Sequence, residues 1–189
     1  MIEELIKYDI DFFLFLNNLG SEPWDNLWRV ITNKLSSIPL YAFLLYLVYK
    51  SYGFKGTLIV VVGAVLMITT CDQLANLFKS GFQRLRPWVN EDLDGLMRMV
   101  VEKRGIHSFF SGHAVNSMGL AVYIGLLLRH YYYYLPFILL LWAFTVGSSR
   151  IYVGVHYPLD IVCGLSFGGF AGFLFYRIQD VIRNKFLSV

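Results

Sequence analysis

Long stretches with almost no formal charge limit what this chain can fold into. Four of them cover residues 56–71, 105–129, 131–149 and 151–176. Each approaches or exceeds the roughly 17–25 residues that a helix needs to cross a membrane. A soluble domain of 189 residues has too little interior to bury four such helices. The uncharged stretches therefore predict helices that span a membrane.

A shorter apolar run at residues 35–49 lies between Lys34 and Lys50. Lysine stems at both ends of a helix can reach the two membrane interfaces, so we expect a further span here. Composition agrees, because 57% of the residues are apolar and 15% are charged, against roughly 45–50% and about 25% in soluble domains. The sequence predicts an all-α, integral membrane bundle of about five transmembrane helices.

Charged and apolar positions alternate in the N-terminal residues 1–19, unlike in the predicted spans. A basic start and a small-residue cleavage site are missing, so we expect no secretory signal peptide and retention of this segment. The pattern predicts a helix lying in the membrane interface, and a soluble cap is the alternative. We expect residues 1–189 to form a single membrane domain, with residues 1–34 as its N-terminal interfacial segment.

The charge pattern and the two cysteines exclude several kinds of site. The net charge is +3, but the basic residues are spread along the chain. Without a basic run interleaved with aromatic residues, we expect no nucleic acid partner. Cys71 and Cys163 both fall in apolar runs and lack the spacing of metal ligands. We therefore expect two buried thiols.

Threading five spans in order brings the loops at residues 80–110 and 149–157 to the same side of the membrane. These loops, with the helix ends beside them, hold most of the side chains capable of chemistry. Interfacial lysines and arginines ordinarily extend into water, and a lone histidine near a helix end is ordinarily a satisfied polar group. That interpretation does not explain why two histidines, an aspartate and three cations share one level, so we expect an active site there.

The spacing of these residues forms three motifs. Lys79 to Pro87 fits K-x6-R-P, Ser111-Gly112-His113 supplies S-G-H, and Ser149 to Asp160 fits S-R-x5-H-x3-D. Together they resemble the three signature motifs of the type 2 phosphatidic acid phosphatase (PAP2) superfamily of membrane lipid phosphatases. The resemblance implies a PAP2-like core. One departure is Phe110, which stands where the family has proline, so we expect a less rigid entry to the third span.

The resemblance implies a role for each matching residue. His156 would be the nucleophile that forms a phosphohistidine, Asp160 would orient it, and His113 would act as general acid and base. Phosphoryl transfer depends on positioning and on neutralising charge, which a cradle of cations and helix-start amides can do. The residues implied as the phosphate-binding set are Lys79, Arg86, Ser111, Gly112 and Arg150. We expect no metal and no cofactor, because the cations supply the neutralising charge.

Other polar residues near these motifs have more ordinary interpretations. We interpret Arg84 as a solvated or headgroup-facing charge, His107 as a polar loop residue, and His130 as interfacial on the opposite face. Asp72 and Asn76 are expected to pair with each other or with a neighbouring helix. Residues 90–104 form either a lid or headgroup selector, or an ordinary surface loop.

The resemblance implies a phosphorylated lipid as substrate, among membrane lipids as partners. Undecaprenyl diphosphate, phosphatidylglycerol phosphate, phosphatidic acid and lipid A are the candidates, and the residues do not choose among them. The resemblance also implies a bacterial cytoplasmic membrane location with the site facing the periplasm or exterior. The alternatives are a non-catalytic phospholipid-binding or transport protein and a vanadate-dependent haloperoxidase-like enzyme, against which the spans argue. The oligomeric state is left open.

Overall fold

The computed structural model describes residues 2–186, with side chains up to residue 183. Met1 and residues 187–189, at the ends of the predicted 1–189 domain, lie outside the described part. Its α-helices are α1 (Ile2–Asn18), α2 (Glu22–Thr32), α3 (Ile38–Phe82), α4 (Gly112–Leu128), α5 (Leu135–Tyr152) and α6 (Pro158–Phe186). Short 3-10 helices cover Lys34–Ser37, Pro87–Val89 and Glu91–Leu93. Since residues 2–186 contain no strand, the all-α prediction is confirmed.

The chain reverses direction within α3. Gly53 has φ 63° and ψ −173°, which interrupts the helix and favours glycine because no Cβ is present. The Tyr52 hydroxyl donates to the carbonyl of Leu127, near the C-terminal end of α4. Farther along α3, Asp72 accepts a hydrogen bond from Asn116, near the start of α4. Tyr41, before Gly53, lines the same cavity as Asp72 and Asn116, whereas Tyr52 lies at the other end of α4. Residues 38–52 and 54–82 are therefore two antiparallel spans.

The membrane-spanning character follows from helix length and hydropathy. Among the described residues, Lys34–Phe82, Leu135–Tyr152 and Pro158–Arg183 are long and apolar enough to cross a membrane, and Gly112–Leu128 is a shorter apolar helix. The first of these stretches contains both spans of α3. Together with α4, α5 and α6 they make about five spans, as the apolar runs predicted.

Glycines allow α4 and α6 to pack with their backbones in contact. A Cβ placed on Gly168 would lie 2.3 Å from the Val115 carbonyl oxygen, and one on Gly172 would lie 2.4 Å from the Gly119 oxygen. With Gly164, these residues repeat at every fourth position on one face of α6, a pattern typical of closely packed membrane helices. The contact brings the first turns of α4 and α6 to the same level.

The N-terminal helix α1 packs against the bundle through one face, which carries an aromatic side chain between two polar ones. Its buried residues, Asp9, Phe13 and Asn17, follow each other at every fourth position and so share one face. Phe13 packs edge-on against Tyr157 with ring centroids 5.3 Å apart. The apolar side chains that α1 exposes are Ile2, Leu5, Ile6, Phe12 and Phe15. An apolar outer face is what a helix at a membrane interface requires.

Candidate active site

The helices extend further into the motifs than the predicted loops at 80–110 and 149–157 allowed. Lys79 lies in the last turn of α3, and Arg150 lies in the last turn of α5. The connecting segments are therefore residues 83–111 and 153–157. Pro158 opens α6, since a proline at the first helical position gives up only an unpaired N–H.

His156 and Asp160 form a buried pair at the start of α6. His156 Nδ1 lies 3.3 Å from Asp160 Oδ2, which also accepts from the Tyr157 N–H at 3.0 Å. The two side chains are 2% and 0% exposed. Burial lowers the pKa of His156 to about 4, against the upward effect of Asp160. The imidazole is therefore neutral at pH 7, the form in which a ring nitrogen can attack phosphorus.

Ser111 connects the beginnings of α4 and α6. Its backbone N–H donates to the carbonyl of Asp160 at 3.1 Å. Its hydroxyl accepts from the Ala114 N–H at 3.4 Å, which caps α4. Ser111 is fully buried in this arrangement. The structure thus gives Ser111 a capping contact, and its phosphate-binding role stays a prediction.

Lys79 reaches the N-terminal end of α4. A Cβ placed on Gly112 would lie 4.0 Å from Lys79 Nζ and 3.9 Å from Asp72 Oδ1. The start of a helix carries unpaired N–H groups and the positive end of the helix dipole. A lysine ammonium beside that helix start, and a glycine that leaves the backbone accessible, form a site suited to an anion.

Arg86 is held in place by the segment that leads into α4. Its Nε donates to the carbonyl of His107 at 3.1 Å, and its backbone N–H donates to Ile106 at 2.9 Å. Burial lowers the pKa of Arg86 below its ordinary value, although a guanidinium stays charged at neutral pH. His107 contributes its backbone carbonyl here, which its sequence position did not indicate.

Arg150 presents an unused donor. Its Nη1 donates to the Thr32 hydroxyl at the end of α2. Its Nε is buried and has no hydrogen-bond partner among the described residues. Buried polar groups are ordinarily paired, so an orphaned guanidinium N–H next to a cleft marks a place where an anion can bind.

A cleft of about 840 Å³ opens beside these residues. Arg86, Arg150 and His113 lie on its wall. Further basic residues around it are Arg29, Lys34 and Arg104, accompanied by the acidic Glu102. With five basic side chains against one carboxylate, the cleft favours a ligand with more negative charge than a single phosphate.

The stretch at residues 90–104 forms one wall of this cleft. Val100 and Val101 line it, and the Val100 N–H donates to the carbonyl of Val153 at 3.3 Å. Arg98 forms an ion pair with Asp25 of α2 at 2.9 Å. The stretch is therefore held by α2 and by the end of α5 next to the cleft, and its role as a lid or headgroup selector stays a prediction.

Arg84 is not the solvated charge that the sequence indicated. Its guanidinium pairs with Asp160 at 3.1 Å and with Asp9 at 2.6 Å. Neither contact was predicted from the sequence, because Arg84 occupies an unspecified position of its motif and Asp9 lies outside all three motifs. The signal that could have indicated them is Asp9, an acidic residue on the same face of α1 as Phe13.

Phe110 does not loosen the entry to α4. It is fully buried and stacks on Phe167 of α6 with centroids 5.0 Å apart. Phe78 lies against it at 5.3 Å. Aromatic packing therefore anchors the position where the family has proline, which opposes the looser entry expected from the missing ring constraint.

Other polar expectations have mixed outcomes. Asp72 accepts from Asn116 of the neighbouring helix α4 at 2.7 Å, as one of the two expected arrangements. His130 lies exposed at the other end of the bundle, next to Arg129. Both cysteines are free thiols, but only Cys71 is buried, whereas Cys163 is partly exposed. Among the described side chains, no group of three or more His, Cys, Asp or Glu residues is arranged to hold a metal ion.

Comparison with known proteins places the chain in a family. The model of the PAP2 superfamily matches residues 57–183. A lipid A 4'-phosphatase of Bacteroides thetaiotaomicron is 40% identical over 100% of this chain and 84% of its own length. A lipid A 4'-phosphatase of Porphyromonas gingivalis is 30% identical over 99% of this chain and 79% of its own length.

The fold matches a solved structure as well. The transmembrane PAP2 type phosphatidylglycerolphosphate phosphatase from Bacillus subtilis superposes with a TM-score of 0.76, at 21% identity, over 97% of this chain and 89% of that one. The matched family segment contains all three motifs that surround the cleft. The chain therefore belongs to the PAP2 superfamily.

Proposed function

We propose that this protein is a lipid phosphatase that removes phosphate from a lipid headgroup through a phosphohistidine at His156. The observation that carries the proposal is the buried pair of a neutral His156 and the carboxylate of Asp160, beside a basic cleft in a membrane-spanning bundle. The alternatives of a non-catalytic phospholipid-binding or transport protein and of a haloperoxidase-like enzyme have no comparable support.

The reaction uses groups that the fold brings together. Asp160 holds Nδ1 of His156, so Nε2 is the nitrogen that attacks phosphorus. Negative charge on the transferred phosphoryl group is stabilised by the cations and helix-start amides of the phosphate-binding set. His113 protonates the departing oxygen, then takes a proton from the water that releases phosphate from His156.

The substrate that fits best is lipid A. Its 4'-phosphoryl group is transferred to His156, and the 4'-oxygen leaves with the rest of the lipid. Two bacterial relatives at 40% and 30% identity carry the name lipid A 4'-phosphatase. A cleft of about 840 Å³ with Arg29, Lys34 and Arg104 beyond the motif cations can take a headgroup larger than one phosphate. We propose that these three residues contact the remainder of that headgroup.

We propose a membrane location and a single-domain organisation that suit this function. The protein lies in a bacterial cytoplasmic membrane with the cleft facing the periplasm or exterior. Residues 1–189 act as one domain, because α1 and α2 contact α5, α6 and the cleft wall through Asn17, Asp9, Arg29 and Thr32.

A lipid panel tests the function. Detergent-purified protein is given lipid A, undecaprenyl diphosphate, phosphatidylglycerol phosphate and phosphatidic acid with chelator present. Released phosphate is measured, and mass spectrometry identifies the position lost from lipid A. We expect turnover of lipid A with loss of the 4'-phosphate.

The matched control compares two histidine variants. His156→Gln should abolish release, whereas His130→Gln changes an exposed histidine at the opposite end and should keep it. Release that persists in His156→Gln would exclude the proposed nucleophile. Preference for another lipid of the panel would exclude lipid A as the substrate.

A further inference from the structure

Arg84 joins two carboxylates that come from opposite ends of the chain. Its Nη1 donates to Asp160 Oδ1 at 3.1 Å, and its Nη2 donates to Asp9 Oδ2 at 2.6 Å. The side chains of Asp9 and Asp160 are 2% and 0% exposed, so water does not compete for these contacts. The planar, always charged guanidinium therefore fixes the positions of both carboxylates.

The contact with Arg84 determines how Asp160 faces His156. One carboxylate oxygen of Asp160 accepts from Arg84, which leaves Oδ2 for His156 and for the Tyr157 N–H. The guanidinium also lies 4.0 Å above the ring of Tyr157, next in the chain to His156. Loss of Arg84 would free Asp160 to rotate away from the imidazole.

Asp9 of α1 acts on the same arrangement in two ways. Its Oδ1 accepts from the Leu159 N–H at 2.8 Å, which satisfies one of the unpaired amides at the start of α6. Its Oδ2 balances the positive charge of Arg84. With Asp9 the three side chains sum to one negative charge, and without it Arg84 would neutralise Asp160. The charge of Asp9 therefore leaves that of Asp160 available to His156.

We propose that Asp9 and Arg84 are positioning residues that keep the carboxylate of Asp160 oriented toward His156, so that the N-terminal helix forms part of the reaction machinery. The inference rests on the proposed function, because it takes His156 as the nucleophile. The guanidinium of Arg84 is engaged by the two carboxylates, and Asp9 is engaged by Arg84 and the Leu159 N–H, so both residues act through Asp160 rather than on the substrate.

The first test is Asp9→Asn. Asparagine keeps an oxygen for the Leu159 N–H but loses the charge that faces Arg84. We expect kcat for phosphate release to fall roughly 10- to 100-fold, because misplacement of a reacting group costs this much. KM should stay within about twofold of wild type, because substrate contacts are unchanged. The matched control is Asp11→Asn, the same change at an exposed position of the same helix, which should leave both constants unaltered.

A double-mutant cycle tests the route of action. Arg84→Gln should lower kcat at least as far as Asp9→Asn, and adding Asp9→Asn to it should cost little more, because Asp9 acts through Arg84. Arg84→Lys should recover part of kcat, since an ammonium keeps the charge without the planar fork. Losses that multiply independently, or that appear in KM alone, would overturn the proposal.

Different results would exclude the proposed function and the positioning role of Asp9 and Arg84. If wild type releases no phosphate, the proposed function is wrong. If wild type is active, His156→Gln is inactive and Asp9→Asn matches Asp11→Asn, only the positioning role is wrong. For each variant, the rate is divided by the concentration of protein that elutes as a monodisperse peak in gel filtration. Should Arg84→Gln fail to fold, the comparison of Asp9→Asn with Asp11→Asn still decides the proposal.

Discussion

At the scale of single residues, the burial of His156 sets its chemistry. Desolvation disfavours the imidazolium form more than the carboxylate of Asp160 favours it, and the nearby Arg150 and Arg86 act in the same direction as desolvation. The ring is therefore neutral without a dedicated base. A neutral ring beside a fixed carboxylate can attack phosphorus and can then carry the positive charge that forms.

This burial predicts an acid-shifted titration of His156. NMR of labelled imidazoles in detergent, with His156→Gln used to assign the signal, should give a midpoint of about 4. An ordinary histidine titrates near pH 6.5. A midpoint at or above that value would contradict the account.

The same shift has a consequence for stability. Below about pH 6.5 the unfolded chain binds a proton at His156 that the folded protein does not bind until about pH 4. The free energy of unfolding should therefore decrease as the pH falls through this window, and His156→Gln should weaken that decrease.

Residue chemistry could be predicted only where a local pattern carries it. Lys79, Arg86, His113, Arg150 and His156 were predicted because they stand in short motifs that resemble those of a known family and their types suit phosphate, and their roles stay predictions. The partnership of Asp9 with Arg84 could not be predicted, since it joins distant parts of the chain and depends on how α1 packs. The capping role of Ser111 is likewise a property of the folded helix start.

At the scale of helices, contact between α4 and α6 holds the two halves of the site together. Gly168→Ala should destabilise the protein by about 1–3 kcal/mol, because its Cβ would overlap a backbone oxygen that cannot move freely. Gly169→Ala is the matched control, since its Cβ would meet only Met118 Cγ at 3.8 Å. Thermal unfolding in detergent should give a lower midpoint for Gly168→Ala alone. Equal midpoints would show that the backbones are not in close contact.

Helix positions could be predicted more reliably than their ends. The uncharged runs identified the spans, although the last run begins at residue 151 and α6 begins at Pro158. The ends of α3 and α5 were placed too early, because the loops were predicted to begin at residues 80 and 149, whereas the helices continue to Phe82 and Tyr152. Glycine spacing on α6 was present in the sequence and carried a packing signal that charge analysis overlooks.

At the scale of the whole molecule, the cleft and the turn at Gly53 lie at opposite ends of the bundle. Cysteines introduced at exposed positions of each end, Glu91→Cys and Lys55→Cys, therefore report orientation. In intact spheroplasts, a membrane-impermeant thiol reagent should label Glu91→Cys, and Lys55→Cys only after lysis. The parent protein gives the background from its own thiols. The reverse pattern would contradict the proposed outward-facing site.

The central claim is that phosphate passes through His156. The most direct measurement is a rapid alkaline quench of the protein during turnover of lipid A labelled at the 4'-phosphate, followed by peptide mass spectrometry. Alkaline conditions are needed because phosphohistidine is unstable in acid. We predict a labelled phosphate on the peptide that contains His156. Its rates of formation and loss should be at least as fast as the steady-state turnover. Turnover with no phosphorylated peptide, or with the label on another residue, would contradict it.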